Sequence, residues 1–351
     1  MNRGTQIAMK TFSKSPILLL GIVLLAQGTG LAEEFLGNLD APSADRWNYG
    51  FNQTPGDRNV ASAFAYTGTL YDFDDRDGMV TIAFETDGIV APGAGAERYI
   101  VDAIELRITL SDDYVSGYDS TQDQWQTHRQ PDDPDYQPDL DTGRPVELFA
   151  TGFRNGVTAD TWSEDTPFSP TGPFGEGIRN TYAIELIPGG GEVDVSNSVF
   201  DGFTPQSMAI GIVDDLQDGG VITEGSEVRF TIDTSSDEHQ AWLAAGLDAG
   251  RLIFTISSLV EAEEQGGDFI EFYMRENPLV TAGVRSAATL QLSGSTVDGC
   301  TEPADLNEDC QINGADIGLL LAMWGTSNPK GDLSGDGMIN GIDLGLLLAA
   351  F

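Results

Sequence analysis

Residues 104–110 read Ile-Glu-Leu-Arg-Ile-Thr-Leu, an alternation in which every second side chain is apolar. Because successive side chains of a β-strand point to opposite faces, this segment predicts a strand with one buried and one solvated face. Turn-forming residues separate eight further segments of the same character: Met79–Phe84, Val146–Phe149, Tyr182–Ile187, Met208–Val213, Glu227–Ile232, Leu252–Ile256, Phe269–Met274 and Ala288–Leu292. The pattern favours a mainly β fold, an antiparallel β-sandwich that is jelly-roll-like.

Two segments break this pattern. A helix is expected over Asp237–Leu247, because acidic residues occupy its first turn and Gly250 follows its end. Residues 111–144 are polar and carry aspartates at 132, 133, 135, 139 and 141. We expect a long surface loop there, either a structural or disordered segment or one whose irregularly spaced carboxylates hold a calcium ion.

The first 32 residues have the layout of a secretory signal peptide. Arg3, Lys10 and Lys14 precede an apolar run over 17–26, and small residues follow at 30–32. About ten apolar residues are too few to span a bilayer, so cleavage is predicted, with an uncleaved anchor as the alternative. We therefore expect a secreted or cell-surface protein with no membrane span after signal cleavage.

The chain is strongly acidic, with 56 acidic and 17 basic residues and a formal net charge of −39. Removing residues 1–32 removes three basic residues and no acidic one, so the charge becomes more negative. Such a field repels phosphate backbones and argues against nucleic acid as a partner. It suits divalent cations or salty surroundings, although solubility alone would also explain it.

A repeat near the C-terminus has the features of a calcium site. Residues 305–316 and 332–343 are two similar acidic segments offset by 27 residues, and each leads into an apolar octet. Oxygen-bearing side chains occupy positions 1, 3, 5, 9 and 12 of both copies. A chain wrapped around calcium presents alternate residues to the ion, which takes hard oxygen ligands. The repeat therefore predicts two bound Ca²⁺ ions.

Each loop is followed by a helical octet but has no helix before it. In this the segment resembles the dockerin type I domain, a small calcium-dependent module that docks polysaccharide-degrading enzymes onto cohesins. The resemblance covers residues 303–351. It implies two sets of calcium ligands, in which position 7 contributes its carbonyl: Asp305, Asn307, Asp309, Gln311, Asn313 and Asp316, and then Asp332, Ser334, Asp336, Met338, Asn340 and Asp343.

The segment also departs from the dockerin pattern. Positions 10 and 11, which help choose the cohesin, are Gly314-Ala315 and Gly341-Ile342, and the helices lack basic residues. The octets are apolar almost all round, so packing them together leaves an exposed apolar face that implies a partner. That partner is either a cohesin-like protein or the chain's own β-sandwich. Ile312 and Ile339, both at position 8, are expected to pair the two loops.

The two cysteines lie beside the first loop. Cys310 occupies position 6, where positive φ is expected and costs a non-glycine residue about 1–2 kcal/mol. A disulfide between Cys300 and Cys310 would stabilise by about 3 kcal/mol in the chain-entropy model and offset that strain. We predict this bond, which suits an exported protein.

Signals for catalysis are weak. His128 and His239 are the only histidines, both expected on the surface, and no nucleophile motif is present. Two acidic groups could supply carboxylate-pair chemistry, but we interpret both as solvated turns: Asp72, Asp74, Asp75 and Asp77, and Glu164 and Asp165 beside Trp162. No catalytic residue is assigned.

The alternating aromatics Trp47, Tyr49 and Phe51 would share one face of a strand. They are either core residues, which we favour, or a platform for stacking on a glycan. The body also loosely resembles the jelly-roll modules of secreted bacterial surface proteins of the DNRLRE type, on the Asp45-Arg46-Trp47 segment and the late strands 272–276 and 290–292.

These observations divide the chain into a signal peptide (1–32), a β-sandwich domain (33–295), a linker (296–302) and a dockerin-like domain (303–351). We expect a non-catalytic extracellular module, associated with a surface, a matrix or a glycan, whose calcium-binding tail docks a protein. The alternative is a dockerin-bearing polysaccharide-degrading enzyme, a glycoside hydrolase or a lyase.

Overall fold

A computed structural model describes residues 32–52, 54–66, 74–175, 177–261, 268–297, 302–307 and 312–351. Nearly all of the predicted signal peptide lies outside these residues, as do Asp72, both cysteines, Asp309 and Gln311. The described chain is mainly β, and its sheets are antiparallel apart from short contacts such as the two-residue pairing of Tyr118–Asp119 with Arg144–Pro145. The prediction of an antiparallel β-rich fold is confirmed.

The first sheet has four strands and is centred on the segment that predicted it. Its order is β1 (Glu33–Leu39), β14 (Thr289–Thr296), β5 (Tyr99–Thr109) and β11 (Glu227–Thr231). Ile104, Leu106 and Ile108 are buried along β5, whereas Glu105 and Arg107 are partly exposed and form an ion pair at 2.7 Å. The alternation in sequence is therefore an alternation of buried and solvated faces.

The second sheet runs in the order β2 (Ala44–Asn48), β4 (Met79–Glu85), β12 (Arg251–Ser258), β7 (Arg144–Phe153), β8 (Thr181–Leu186) and β9 (Glu192–Asp194). Two short strands, β6 (Tyr118–Asp119) and β10 (Ala209–Ile210), also pair with β7. A separate pair joins β3 (Val60–Ala63) to β13 (Ile270–Tyr273). Both faces of β4, β7 and β12 are buried, which marks them as the interior of the fold.

Side chains from both large sheets pack in one hydrophobic cluster. Leu106 and Phe230 of the first sheet lie in the same cluster as Ile82, Leu148 and Phe254 of the second. Burial of this apolar surface is the main favourable contribution to folding. The two sheets therefore share a single core.

One long helix covers an edge of this core. Helix α1 (Asp237–Ala249) begins after Ser236, whose side chain accepts the His239 N–H, and ends at Gly250 in the left-handed region. Leu243 and Leu247 bury its inner face. The predicted helix is confirmed and extends two residues further. A short helix, α2 (Pro278–Thr281), follows β13.

The C-terminal segment builds its own small core. Helices α3 (Gly314–Ala322) and α4 (Gly341–Ala349) follow the two acidic loops. Their buried residues form one cluster with the first loop: Ala304, Leu306, Leu320, Ile339 and Leu347. Among the helices that the structure describes, none is long and apolar enough to cross a membrane.

Candidate metal centre

The second acidic loop folds around its first residue. The carboxylate of Asp332 accepts the backbone N–H of Asp336 at 3.1 Å and that of Gly337 at 2.8 Å, and the Ser334 hydroxyl at 3.3 Å. Gly335 and Gly337 have φ values of 72° and 87°. Only glycine adopts this region without strain, so the positive φ expected at position 6 is observed in this loop.

Two further oxygens of this loop converge on one point. The side-chain amide of Asn340 donates to Asp336 Oδ2 and to the Met338 carbonyl, both at 3.0 Å. The Asn340 Oδ1 atom faces the other way and accepts the Ile342 N–H, which caps α4. An amide donor thus holds together two oxygens that the spacing assigned as calcium ligands.

Position 12 closes the loop. Asp343 has no exposed surface and its carboxylate accepts the backbone N–H groups of Ser334 and Asn340, both at 2.8 Å. These hydrogen bonds stabilise the charged form and hold the pKa of Asp343 below its ordinary value, with the Asn340 N–H as the largest cause. The carboxylate therefore stays ionised at neutral pH.

The first loop repeats this closure. Asp316 accepts the N–H of Leu306 at 2.8 Å, of Asn307 at 3.2 Å and of Asn313 at 2.8 Å. Burial raises its pKa, but these backbone donors outweigh burial and hold the pKa below its ordinary value. Asn313 caps α3 as Asn340 caps α4.

The rest of the first site lies outside the described residues. Asp309, Gln311 and the Cys300–Cys310 pair all fall there. Asp305, by contrast, is buried at the start of the loop. The two position-12 carboxylates occupy equivalent places in the two repeats, which is the main symmetry of the described segment.

The position-8 residues Ile312 and Ile339 meet in one hydrophobic cluster, while the backbone of Ile339 pairs with residues 325 and 326. Ile339 donates its N–H to Thr326 and accepts the N–H of Gly325, both at 2.8 Å. The backbone of Ile339 is thus occupied by the segment that leaves α3. Ile312 packs its side chain against the cluster that contains Ile339.

Helices α3 and α4 expose a large apolar surface. Leu320 and Leu347 are fully buried, while Leu321 and Leu348 beside them are each 52% exposed. Large apolar side chains of this segment that remain exposed are Leu319, Leu321, Trp324, Met338, Ile342, Leu346, Leu348 and Phe351. We call this set the apolar tail face.

The sequence analysis expected the acidic group at 74–77 to be a solvated turn, and this expectation is wrong. Asp74 and Asp77 are buried, and Arg179, itself 1% exposed, lies 2.8 Å from Asp74 and 3.1 Å from Asp77. Arg76, with no exposed surface, pairs with Glu147 at 2.6 Å. These ion pairs offset the buried charges of Asp74, Asp77 and Glu147.

Burial also changes the protonation of this group. It raises the pKa of Asp75 and that of Asp77 to about 6 each, although Arg179 opposes the shift of Asp77 and the Phe200 N–H opposes that of Asp75. Both carboxylates are therefore harder to ionise in the folded state than in the unfolded chain.

Glu164 also does not lie in a solvated turn, because it forms an ion pair with Arg275. Arg275 Nε lies 2.6 Å from Glu164 and 2.6 Å from Glu276, and the Arg275 N–H donates to Asp45. Burial raises the pKa of Asp45, and the charges of Glu276 and Glu164 raise it further. Asp45 therefore retains its proton beside Glu276, while the guanidinium of Arg275 is shared by the two glutamates. Trp162, two residues before Glu164, is 2% exposed.

The prediction that both histidines lie on the surface is wrong for His128. His128 is buried, and its Nε2 lies 3.7 Å from Asp123. Burial lowers its pKa well below the ordinary value, and Arg144 and Arg76 lower it further, so the ring is neutral at pH 7. His239 does lie in the first turn of α1, as expected.

The aromatics Trp47, Tyr49 and Phe51 do share one face. Trp47 stacks on Tyr49 with ring centroids 4.7 Å apart, and Tyr49 contacts Phe51 at 5.5 Å. Trp47 and Tyr49 pack against the core, and Arg58 lies over the Trp47 ring at 5.1 Å. Core packing, the favoured interpretation, explains the first two; Phe51 is 40% exposed.

No protein-family model matches this chain, and no curated protein matches it. Functional inference therefore starts from the contacts and charges of the chain itself.

Proposed function

We propose that the protein is a secreted, non-catalytic extracellular module whose residues 303–351 form a dockerin-like domain that binds two calcium ions and docks another protein. One observation carries the proposal: Asp336 Oδ2 and the Met338 carbonyl converge at 3.0 Å on a single amide in a loop closed by Asp332 and Asp343. The secretory leader, residues 1–32, rests on the sequence alone.

A calcium ion, in place of the Asn340 side-chain amide, would be the group on which these oxygens converge. It would take oxygens at roughly 2.3–2.6 Å, from Asp332, Ser334, Asp336, the Met338 carbonyl and Asp343. Asn340 Oδ1 caps α4, so position 9 would reach the ion through water, as it often does in such loops. Three carboxylates around a divalent ion leave only a single excess negative charge.

The apolar tail face supplies the docking surface. Exposed large apolar side chains in such number are typical of an interaction site, and the calcium loops would fix the helices that carry them. A cohesin-like protein is the partner that the resemblance implies. The chain's own β-sandwich is the other occupant, and a linker at 296–302 would let the tail reach it.

The body, residues 33–295, would be a jelly-roll-like sandwich that presents a surface, matrix or glycan contact, in line with its loose likeness to the DNRLRE-type modules. Its acidic groups support a structural role, since Asp74, Asp77 and Glu164 are paired with arginine. One observation favours the dockerin-bearing glycoside hydrolase or lyase instead: the raised pKa of Asp45 is what a general acid needs. Asp45, however, is only 2% exposed.

Calcium titration of the full chain tests the tail. We expect heat release with wild-type protein, and one fewer bound ion when Asp332→Asn and Asp336→Asn are combined. Asp87→Asn, in an exposed turn after β4, is the matched control and should bind as wild type does. No heat release, together with an unchanged circular dichroism spectrum in chelator, would exclude the calcium domain.

A screen of polysaccharide hydrolysis separates the two candidate functions. The proposed module gives no turnover with or without calcium. Turnover that disappears in Asp45→Asn and survives in Asp87→Asn would establish the enzyme and overturn the non-catalytic assignment.

A further inference from the structure

A second carboxylate cluster lies where β6 leads into the long polar loop. One oxygen each from Asp119, Asp123 and Asp141 lies within 4.8 Å of the other two. Ligands of calcium stand roughly 2.3–2.6 Å from the ion, so two of them are at most about 5 Å apart. The three oxygens therefore fit around one ion.

The local chain supplies a fourth oxygen. Asp119, Thr121 and Asp123 alternate in sequence, the spacing at which a chain wrapping around an ion presents its ligands. The Thr121 hydroxyl lies 2.9 Å from Asp119 Oδ1 and 3.1 Å from Asp141 Oδ2. Asp141 comes from the far end of the loop, so the cluster joins both ends of it.

The buried carboxylate of this cluster has an unused oxygen. Asp119 has no exposed surface, and its Oδ2 accepts no hydrogen bond from any residue that the structure describes. A buried polar atom without a partner is destabilising unless something binds it. This orphaned oxygen is a second indication of a ligand, independent of the grouping of acids.

The charge of the cluster is not balanced by protein groups. Arg144 Nη1 lies 2.6 Å from Asp123 and 2.6 Å from Asp139. Within the described part of the chain, neither Asp119 nor Asp141 has an ion pair. The one guanidinium pairs with Asp123 and Asp139, and Asp119 and Asp141 keep their negative charge for a divalent cation.

A comparable cluster in the same protein shows the difference. Asp45, Glu164 and Glu276 are grouped as closely. There the Arg275 guanidinium lies between the two glutamates, 2.6 Å from each. Arg275 thus contacts both glutamates of that cluster, whereas Arg144 contacts only Asp123 among the three aspartates of the other.

We propose that Asp119, Thr121, Asp123 and Asp141 bind a calcium ion that is separate from the two C-terminal loops. The ion bridges β6 to the segment that enters β7, and so fixes residues 120–141 against the second sheet. Calcium is favoured over magnesium because it tolerates irregular oxygen geometry, whereas magnesium demands a near-ideal octahedron.

The test uses Asp141→Asn in the full chain, because Asp141 is exposed and its replacement leaves the core intact. Asp135→Asn is the matched control, an exposed aspartate of the same loop outside the cluster. We expect Asp141→Asn to bind one calcium ion fewer than wild type, or to bind that ion at least tenfold more weakly. Asp135→Asn should match wild type.

Hydrogen exchange gives a second readout. Calcium should slow amide exchange in residues 120–141 of wild type, and of the Asp332→Asn, Asp336→Asn variant, but not of Asp141→Asn. Wild-type calcium number and affinity in Asp141→Asn, or loop exchange that ignores calcium, would overturn the inference. Failure of the C-terminal domain instead removes the binding that Asp332 and Asp336 control, so the two failures are distinguishable.

Discussion

The carboxylate of Asp343 accepts the backbone N–H of Ser334, nine residues earlier in the chain, at 2.8 Å. The same carboxylate accepts the Asn340 N–H and so completes the cap of α4. One side chain thus closes the second loop and starts the helix that follows. Loop closure and helix initiation depend on the same group.

Replacing Asp343 should therefore loosen the loop even without metal. In chelator, Asp343→Ala removes the acceptor for two N–H groups, and we expect faster amide exchange at Ser334 and Asn340. Asp343→Asn keeps one acceptor oxygen and should fall between alanine and wild type. Equal protection in all three proteins would contradict the role of this carboxylate.

Arg179 should be essential to the stability of the body. Arg179→Met leaves the buried carboxylates of Asp74 and Asp77 without their partner, which we expect to lower the free energy of unfolding by about 3–5 kcal/mol. Arg229→Met breaks ion pairs with Asp214 and Glu105 at the surface and should lower it far less. Urea unfolding measures both, and equal effects would refute the contrast.

Asp75 should make stability depend on pH. Burial raises its pKa to about 6 in the folded state, above the ordinary value of about 3.9 in the unfolded chain. The folded state therefore holds the proton more tightly, and the stabilisation present below pH 4 is lost as the pH rises to 6. Asp75→Asn cannot titrate. Between pH 4 and pH 7, wild type should lose about 2 kcal/mol relative to this variant.

That comparison is made by urea unfolding in chelator, so that metal binding does not contribute. A difference between wild type and Asp75→Asn that stays constant over this pH range would show that Asp75 is not the titrating group. A difference of the opposite sign would show that its pKa is lowered.

Two neighbouring leucines test the register of α3. Leu320 is fully buried, so Leu320→Ala should destabilise the tail by about 2–5 kcal/mol. Leu321 is half exposed, and Leu321→Ala should have an effect within about 0.5 kcal/mol. Exchange of the α3 amides reports both, and the opposite order would place the wrong face of the helix inside.

The Cys300–Cys310 bond remains a prediction from sequence. Mass spectrometry of the non-reduced protein should find both thiols blocked to alkylation. Replacing both with serine should destabilise the tail by about 3 kcal/mol. Two free thiols in the native protein would refute the disulfide.

Strands with two-residue alternation could be predicted from sequence, because the pattern within one segment shows which side chains are buried. Segment 104–110 and its neighbour β11 are examples. β1 could not be predicted in this way, since only Phe35 is buried along it and Gly37 interrupts it. Its place depends on pairing with β14, more than 250 residues away.

The candidate sites show the same contrast between local sequence patterns and long-range contacts. The spacing of oxygen-bearing residues in the C-terminal loops is local, so the sequence alone carries that calcium prediction. Arg179 and Asp74 lie 105 residues apart, and charged residues are normally exposed, so sequence alone favoured solvated turns. The sequence did not predict the Asp119 cluster either, because its members are distant in the chain: Asp141 lies 20 residues beyond Thr121.

The register of β1 and β14 has a mechanical consequence. Glu33 lies opposite Thr296, so the chain enters β1 and leaves β14 at the same end of one antiparallel pair. Tension between Glu33 and Thr296 would break the backbone hydrogen bonds of the pair one after another. Pulling instead between the tail and the far end of β1 would load all of these bonds together. The direction of pull would thus decide how much force the body resists.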